Sequence, residues 1–203
     1  MIDAAAELGA VVFCTGLHGT LSARAESAVW FWSEPDARPD ERLWDDAVSR
    51  TRELTEHAAS AGVALSLELY ERTFLGDATT AVRFVEAVDH PACGINADLG
   101  NLQRAPEPVQ PWEEMLSTVV PHMNYWHVKN CMRAEDRERG VYLAWPTELA
   151  AGVIDYRRAV ALARHGGFAG PVVVEHYGGD SVGAICRARP YVASVVGPHE
   201  IRL

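Results

Sequence analysis

The sequence predicts an α/β fold whose parallel strands close into a barrel, and three observations carry that expectation. Short apolar segments alternate with helical ones along the chain. Four of the apolar segments present a strongly polar residue near their C-terminal end. Long polar loops follow two of them. Strands that alternate with helices at this pace form right-handed βαβ units and a parallel sheet, and barrels of such units keep their active sites in the loops after the strands.

The elements follow in order. Val11–Gly16 is a strand. Asp40–Ala61 has helical spacing through Leu43, Ala47, Leu54 and Ala58 and stops at Gly62. Val63–Tyr70 is a strand, Asp77–Asp89 a helix opening on Asp77, and Cys93–Asp98 a strand. A proline-rich loop, Arg104–Pro111, leads to a helix at Trp112–Val120 and a strand at Tyr125–Lys129. The charged segment Met132–Ala151 is expected as a long loop. Tyr156–His165 is a helix closed by Gly166 and Gly167, Val172–His176 a strand, and Val182–Val195 a last helix. No repeat and no inter-domain linker interrupts residues 1–203, so one domain is expected.

Side chains alternate faces along a strand. Leucines at 65, 67 and 69 therefore oppose Ser66, Glu68 and Tyr70. Ile95 and Ala97 oppose Asn96 and Asp98, Trp126 and Val128 oppose Tyr125, His127 and Lys129, and Val174 and His176 oppose Glu175. An open sheet covered by helices on both faces would bury these polar residues against apolar surface. A closed barrel turns the apolar face outward to the helices and gathers the polar tips at its mouth.

Glu68 to Asp98 spans 30 residues and Asp98 to His127 spans 29, each about one βα unit; His127 to Glu175 spans 48. Alone, Asp98 could equally cap a helix or sit in the turn Asp98-Leu99-Gly100-Asn101, and His127 could be a hydrogen-bonded core histidine. A carboxylate within an apolar strand, as at Glu68 and Glu175, is costly unless it has a partner. Three clustered carboxylates repel one another, and a divalent cation cancels that repulsion. Three oxygen donors and one nitrogen suit Mn²⁺ or Mg²⁺, with Co²⁺ or Zn²⁺ as further options.

Composition narrows the function. The chain has 203 residues, 48% of them hydrophobic, and a formal net charge of −10. That charge disfavours nucleic acid as a partner and leaves a small neutral substrate open. No apolar run approaches the roughly 20 residues of a membrane span. Cys14, Cys93, Cys131 and Cys186 lack CxxC spacing, and a cytoplasmic location with reduced thiols is expected.

At these residues the chain resembles the xylose isomerase-like superfamily, specifically its sugar phosphate isomerase/epimerase group with the ketose 3-epimerases. The matching pieces are Leu67-Glu68, Asn96-Ala97-Asp98-Leu99-Gly100-Asn101, Trp126-His127-Val128-Lys129-Asn130, Gly152-Val153-Ile154-Asp155-Tyr156 and Gly170-Pro171-Val172-Val173-Val174-Glu175. The resemblance implies a (β/α)₈ TIM barrel with Glu68, Asp98, His127 and Glu175 as metal ligands, and Glu68 and Glu175 as the acid/base pair. It implies that Arg133 holds substrate hydroxyls. Asn101 stands where the epimerases carry a histidine, and Asn130 where the common motif His-x-Lys-Asp has its aspartate.

Glu68 matches the fourth strand of the family, and one strand precedes it here. The expected barrel is therefore incomplete at its N-terminus, with about six strands, and a fragment, a late start or closure by a partner copy (a homo-oligomer) would account for it. The implied chemistry is proton transfer next to the carbonyl of a keto-sugar or polyol ketone, through an enediolate. Lys129 or Arg133 orients a hydroxyl, Asn101 contacts substrate, and His176 and Tyr177 serve as pocket walls; His18 has a weaker claim. A dehydratase of the keto-inositol or dehydroshikimate type and a non-catalytic sugar-binding barrel are the alternatives. The endonuclease IV branch is disfavoured by the absence of a histidine-rich zinc motif and by the acidic charge.

Overall fold

A computed structural model describes residues 1–18, 22–27 and 40–197. Among them the strands are β1 (Val12–Thr15), β2 (Ala64–Glu68), β3 (Cys93–Asn96), β4 (Met123–Val128), β5 (Asn130–Asp136), β6 (Val141–Thr147) and β7 (Val172–Val174). The helices are α1 (Ile2–Glu7), α2 (Ala23–Ser27), α3 (Trp44–Ser60), α4 (Ala78–Val88), α5 (Leu99–Gln103), α6 (Trp112–Val119), α7 (Tyr156–His165) and α8 (Ser181–Val196).

Five strands form one parallel sheet in the order β1-β2-β3-β4-β7. Each strand joins on the same side of the one before it, the winding of a barrel wall, whereas a doubly wound sheet reverses at a switch point. The sheet is a curled, incomplete barrel. Where about six strands were expected, the described residues hold these five and a separate antiparallel pair, β5–β6.

The outer face packs on helices. Leu65, Leu67 and Ile95 are fully buried, and Trp126 packs against Tyr156 of α7 and against Phe168, with ring centroids 6.1 and 5.9 Å apart. Each such side chain contributes about 1.5–3 kcal/mol by leaving water. Helix starts follow local chemistry. Asp77 Oδ1 accepts the Thr80 N–H at 2.8 Å to open α4, and Asp155 Oδ1 accepts the Arg157 and Arg158 N–H groups to open α7. Gly62, with φ of +76°, lets the chain leave α3 for β2.

One irregularity matters for the site. The β3–β4 register pairs Ile95 with Met123 but Asn96 with Tyr125, so β4 carries one extra residue, Asn124. Paired residues in parallel strands share a face, and Glu68 pairs with Asn96. The bulge therefore turns Tyr125 and His127 to the same inner face as Glu68 and Asn96. The Asn124 carboxamide occupies the space where a side chain at Gly94 would stand, and it donates to the Leu65 carbonyl at 2.9 Å.

The segment 132–151, expected as a loop, is largely the β5–β6 hairpin. Its register runs from Asn130 opposite Thr147 to Asp136 opposite Val141. The alternation Val141-Tyr142-Leu143-Ala144-Trp145 and Gly140 at φ +64° form it locally. Charged residues on the β5 side mask that pattern in the sequence.

Candidate metal centre

At the C-terminal ends of the central strands the four expected residues meet. Glu68, Asp98, His127 and Glu175 each offer one ligand atom, and these atoms lie within 4.8 Å of one another. His127 Nδ1 is the hub, 3.1 Å from Glu68 Oε1, 3.0 Å from Glu175 Oε2 and 3.7 Å from Asp98 Oδ2.

Different parts of the fold deliver each residue. Glu68 is the last residue of β2. His127 lies on β4, and its N–H donates to Asn96 Oδ1 at 2.6 Å across the bulge. Glu175 directly follows β7, tied by its N–H to the Val128 carbonyl at 3.1 Å. Asp98 lies beyond β3 and caps α5, with Oδ1 accepting the Asn101 N–H at 3.1 Å. The helix-cap and site readings of Asp98 thus coexist, because the carboxylate divides its oxygens between them.

Lys129 enters the cluster from the strand end. Its Nζ lies 2.9 Å from Asp98 Oδ2 and 3.0 Å from Glu175 Oε2. These two carboxylate oxygens are buried, and neither has a hydrogen bond of good geometry. The ammonium stands beside them as an ion-pair partner. Asn101 Nδ2 donates to Glu68 Oε1 at 3.3 Å and to the Leu69 carbonyl at 3.0 Å, so it orients the ligand carboxylate.

The electrostatics follow from burial and charge together. Burial raises the Asp98 pKa, and although Lys129 opposes it, the net value is about 6. Burial also acts to raise Glu68 and Glu175, but the contact with His127 and the charge of Lys129 outweigh it and lower both. Burial disfavours the charged His127 ring, yet its contacts with Asp98, Glu175 and Glu68 prevail and push its pKa up to about 12. Without a metal, a proton on His127 does the neutralising. A divalent cation with three carboxylates and one imidazole is a chemically sound replacement for that proton. The buried carboxylate oxygens without hydrogen bonds meet the need for unspent lone pairs.

Arg133, His176 and His18 make contacts of their own. Arg133 Nη1 donates to the Gln103 and Ala105 carbonyls at 2.9 and 2.7 Å, and Nη2 to the Glu107 carbonyl at 2.6 Å. Its Nε pairs with Glu135 at 3.2 Å. It clamps the proline-rich loop to β5, where the sequence led us to expect a hand on substrate hydroxyls. His176 lines a narrow gap under α8 with Glu175, Leu149, Ala184 and Ala188. Its ring stacks on Tyr177 with centroids 6.4 Å apart. His18 sets its ring edge-on to Tyr70 at 4.5 Å.

Sequence reasoning missed a buried ion pair beside the cluster. Glu71 Oε1 accepts from Arg104 Nε at 2.5 Å, and the Arg104 guanidinium lies 5.0 Å from both the Tyr70 and the Tyr177 ring centroids. The Tyr177 ring also faces Lys129 Nζ at 5.7 Å. A signal was present in Tyr70-Glu71-Arg72, a polar run just beyond a strand tip.

Asn130 is structural. Its Nδ2 donates to the Leu149 and Ile154 carbonyls at 2.9 and 2.8 Å, and its Oδ1 accepts the Cys131 and Ile154 N–H groups, both at 3.1 Å. Gly152 leaves it room, since a Cβ there would lie 2.1 Å from Asn130 Cγ.

Comparison with known proteins agrees with this architecture. L-ribulose-5-phosphate 3-epimerase UlaE of Escherichia coli is 25% identical over 144 residues, covering 70% of this chain and 47% of that protein. A xylose isomerase-like TIM barrel protein from Mycobacterium smegmatis, solved in complex with magnesium, is 40% identical with a TM-score of 0.89. That match covers 98% of this chain and 65% of the other. A xylose isomerase domain protein from Planctomyces limnophilus is 24% identical with a TM-score of 0.70, over 96% of this chain and 62% of its own, and supports the fold alone. The chain thus spans about half the length of the curated relatives it matches. No described helix is long and apolar enough to cross a membrane. Residues 1–192 match the family model of the xylose isomerase-like TIM barrel, and the chain belongs to that family.

Proposed function

We propose that this chain carries the active centre of a divalent-metal-dependent sugar isomerase or epimerase acting on a keto-sugar or polyol ketone. The observation that supports it is the convergence of Glu68, Asp98, His127 and Glu175 within 4.8 Å at the strand ends. Mn²⁺ or Mg²⁺ suits three carboxylates and one imidazole, and the M. smegmatis relative was solved with magnesium.

When bound, the metal supplies a Lewis acid for neighbouring carbonyl and hydroxyl oxygens of the substrate. The chain's own residues do the rest. Glu68 and Glu175 enter from β2 and from beyond β7, on either side of His127, which pairs with both. One glutamate takes the proton next to the carbonyl. In an epimerisation the other glutamate, protonated beforehand, delivers its own proton to the opposite face and is left ionised; in an isomerisation the first glutamate returns the proton at the adjacent carbon. Lys129, held against Asp98, would orient a substrate oxygen, and Asn101 donates to the Glu68 carboxylate. Tyr177, one of the expected pocket walls, stands with Tyr70 against Arg104 beside the cluster.

The test is a panel of ketoses and polyol ketones incubated with the Mn²⁺-loaded protein in deuterated water. Metal-dependent entry of deuterium at a carbon next to the carbonyl, lost in Glu175→Gln, is the expected result. Loss of water from the product would assign a dehydratase. No exchange with any ketone by a protein shown to hold metal would leave a sugar-binding barrel.

A further inference from the structure

Lys129 stands inside a candidate cation site. It is 97% buried, yet it carries a full positive charge among groups that would hold a metal. The surroundings fix it there. Gly100 makes room, since a Cβ at that position would lie 2.6 Å from Lys129 Cγ. The Tyr156 hydroxyl donates to the Lys129 carbonyl at 2.7 Å, and the Tyr177 ring covers Nζ at 5.7 Å. The ammonium touches Asp98 Oδ2 and Glu175 Oε2, the same oxygens that approach His127 Nδ1.

Three carboxylates and one ammonium leave two negative charges, which one divalent cation cancels when His127 is neutral. Without the ammonium, three charges remain and a trivalent ion becomes the better match. Charges this close, shielded from water, interact strongly. A buried cation near a cation site also lowers affinity for every metal ion, and lowers it more for those of higher charge.

Building on the metal reading above, we propose that Lys129 is a fixed counter-charge that sets the site's demand to two positive charges, moderating divalent affinity and rejecting trivalent ions. This is a role toward the metal, separate from any contact Lys129 makes with substrate.

The experiment measures Mn²⁺ affinity by titration calorimetry and Tb³⁺ affinity by sensitised luminescence, both without substrate. The proteins compared are the parent, Lys129→Met, Lys129→Gln and Lys129→Arg. The neutral variants are expected to bind Mn²⁺ about tenfold tighter or more, with the Tb³⁺-to-Mn²⁺ affinity ratio rising by a further order of magnitude, roughly. Lys129→Arg keeps the charge and stays near the parent. If either neutral variant is unstable without metal, the same order is read from the rise in melting temperature at saturating Mn²⁺, which is then larger than in the parent. Parent binding with unchanged or weaker binding by both neutral variants overturns the inference alone and makes Lys129 an orienting residue. No Mn²⁺ binding by the parent overturns the metal reading and the inference with it.

Discussion

Asn130→Asp replaces a single amide nitrogen by oxygen, yet it should be among the most damaging single substitutions outside the metal centre. The parent side chain is 99% buried and makes four hydrogen bonds, two as donor and two as acceptor. The carboxylate keeps the two acceptor bonds and loses both donors. The Leu149 and Ile154 carbonyls are left unsatisfied at about 1–3 kcal/mol each, and a negative charge now faces them. The expected loss is about 4 kcal/mol near neutral pH. The new carboxyl escapes part of it by keeping its proton, so its folded-state pKa is raised above the unfolded value. Its stability relative to the parent is then greatest below the unfolded pKa and falls as pH rises through the folded one. Urea denaturation followed by circular dichroism at pH 5 and pH 8 measures this, with a midpoint shift of roughly 1.5 M at pH 8 for a slope of 2–3 kcal/mol per M. A shift below about 0.3 M, or a deficit larger at pH 5 than at pH 8, would refute the four-bond account. Gly152→Ala invades the same space, and combined with Asn130→Ala it should cost less than the sum of the two.

Other outcomes follow from the same geometry. Glu175→Gln should abolish deuterium exchange while leaving the melting temperature within a few degrees; retained exchange would remove Glu175 from the acid/base pair. Metal-free, the chain gains stability from protonated His127, whose pKa is raised from 6.5 to about 12. That gain is whole below pH 6.5 and drains away as pH rises toward 12, so the metal-free melting temperature should decline across that window, and less so in His127→Gln. Metal displaces the proton, so Mn²⁺ binding should weaken as pH falls and release close to one proton by calorimetry in two buffers. Arg133→Ala should unpin the loop from Gln103 to Glu107 and speed its cleavage in limited proteolysis, with Mn²⁺ affinity unchanged; a loss of metal binding would place Arg133 in the centre instead.

The site was more legible than the mouth around it. Alternation within Val63–Tyr70 and Tyr125–Lys129, with spacings near one βα unit, marked Glu68 and His127 because strands impose a strict period of two. Glu175 followed from the same rule beyond Val172–Val174. Asp98 was marked for the wrong local reason, since the strand ends at Asn96 and Asp98 reaches the cluster as a helix cap. The bulge at Asn124 left no sign in the alternation of β4 itself, because it alters the register against β3 and not the pattern within the strand. The Glu71–Arg104 pair joins residues 33 apart through a loop, and no periodicity reports such a contact. The hairpin was hidden because its charged residues resemble a solvated loop when read without their partners.

Three asparagines, two of them departures from the family pattern, surround the four-residue cluster with neutral hydrogen-bonding groups. Asn96 takes the His127 N–H and donates to Cys14 Sγ at 3.3 Å. Asn101 donates to Glu68 while its N–H closes the Asp98 cap. Asn130 ties the end of β4 to the segment before α7. Asn96 and Asn130 both donate and accept, Asn101 donates only, and none adds charge. Near three carboxylates another carboxylate would raise the repulsion the metal must cancel, while an ammonium would compete with it. A histidine at position 101 could reach Glu68 through a ring nitrogen, but it could also take a proton and change the charge of the site. With Asn101 and Asn130 neutral, the only fixed positive charge touching the ligand carboxylates among the described residues is Lys129. The charge balance of the centre then depends on that one side chain and on whatever replaces the proton of His127.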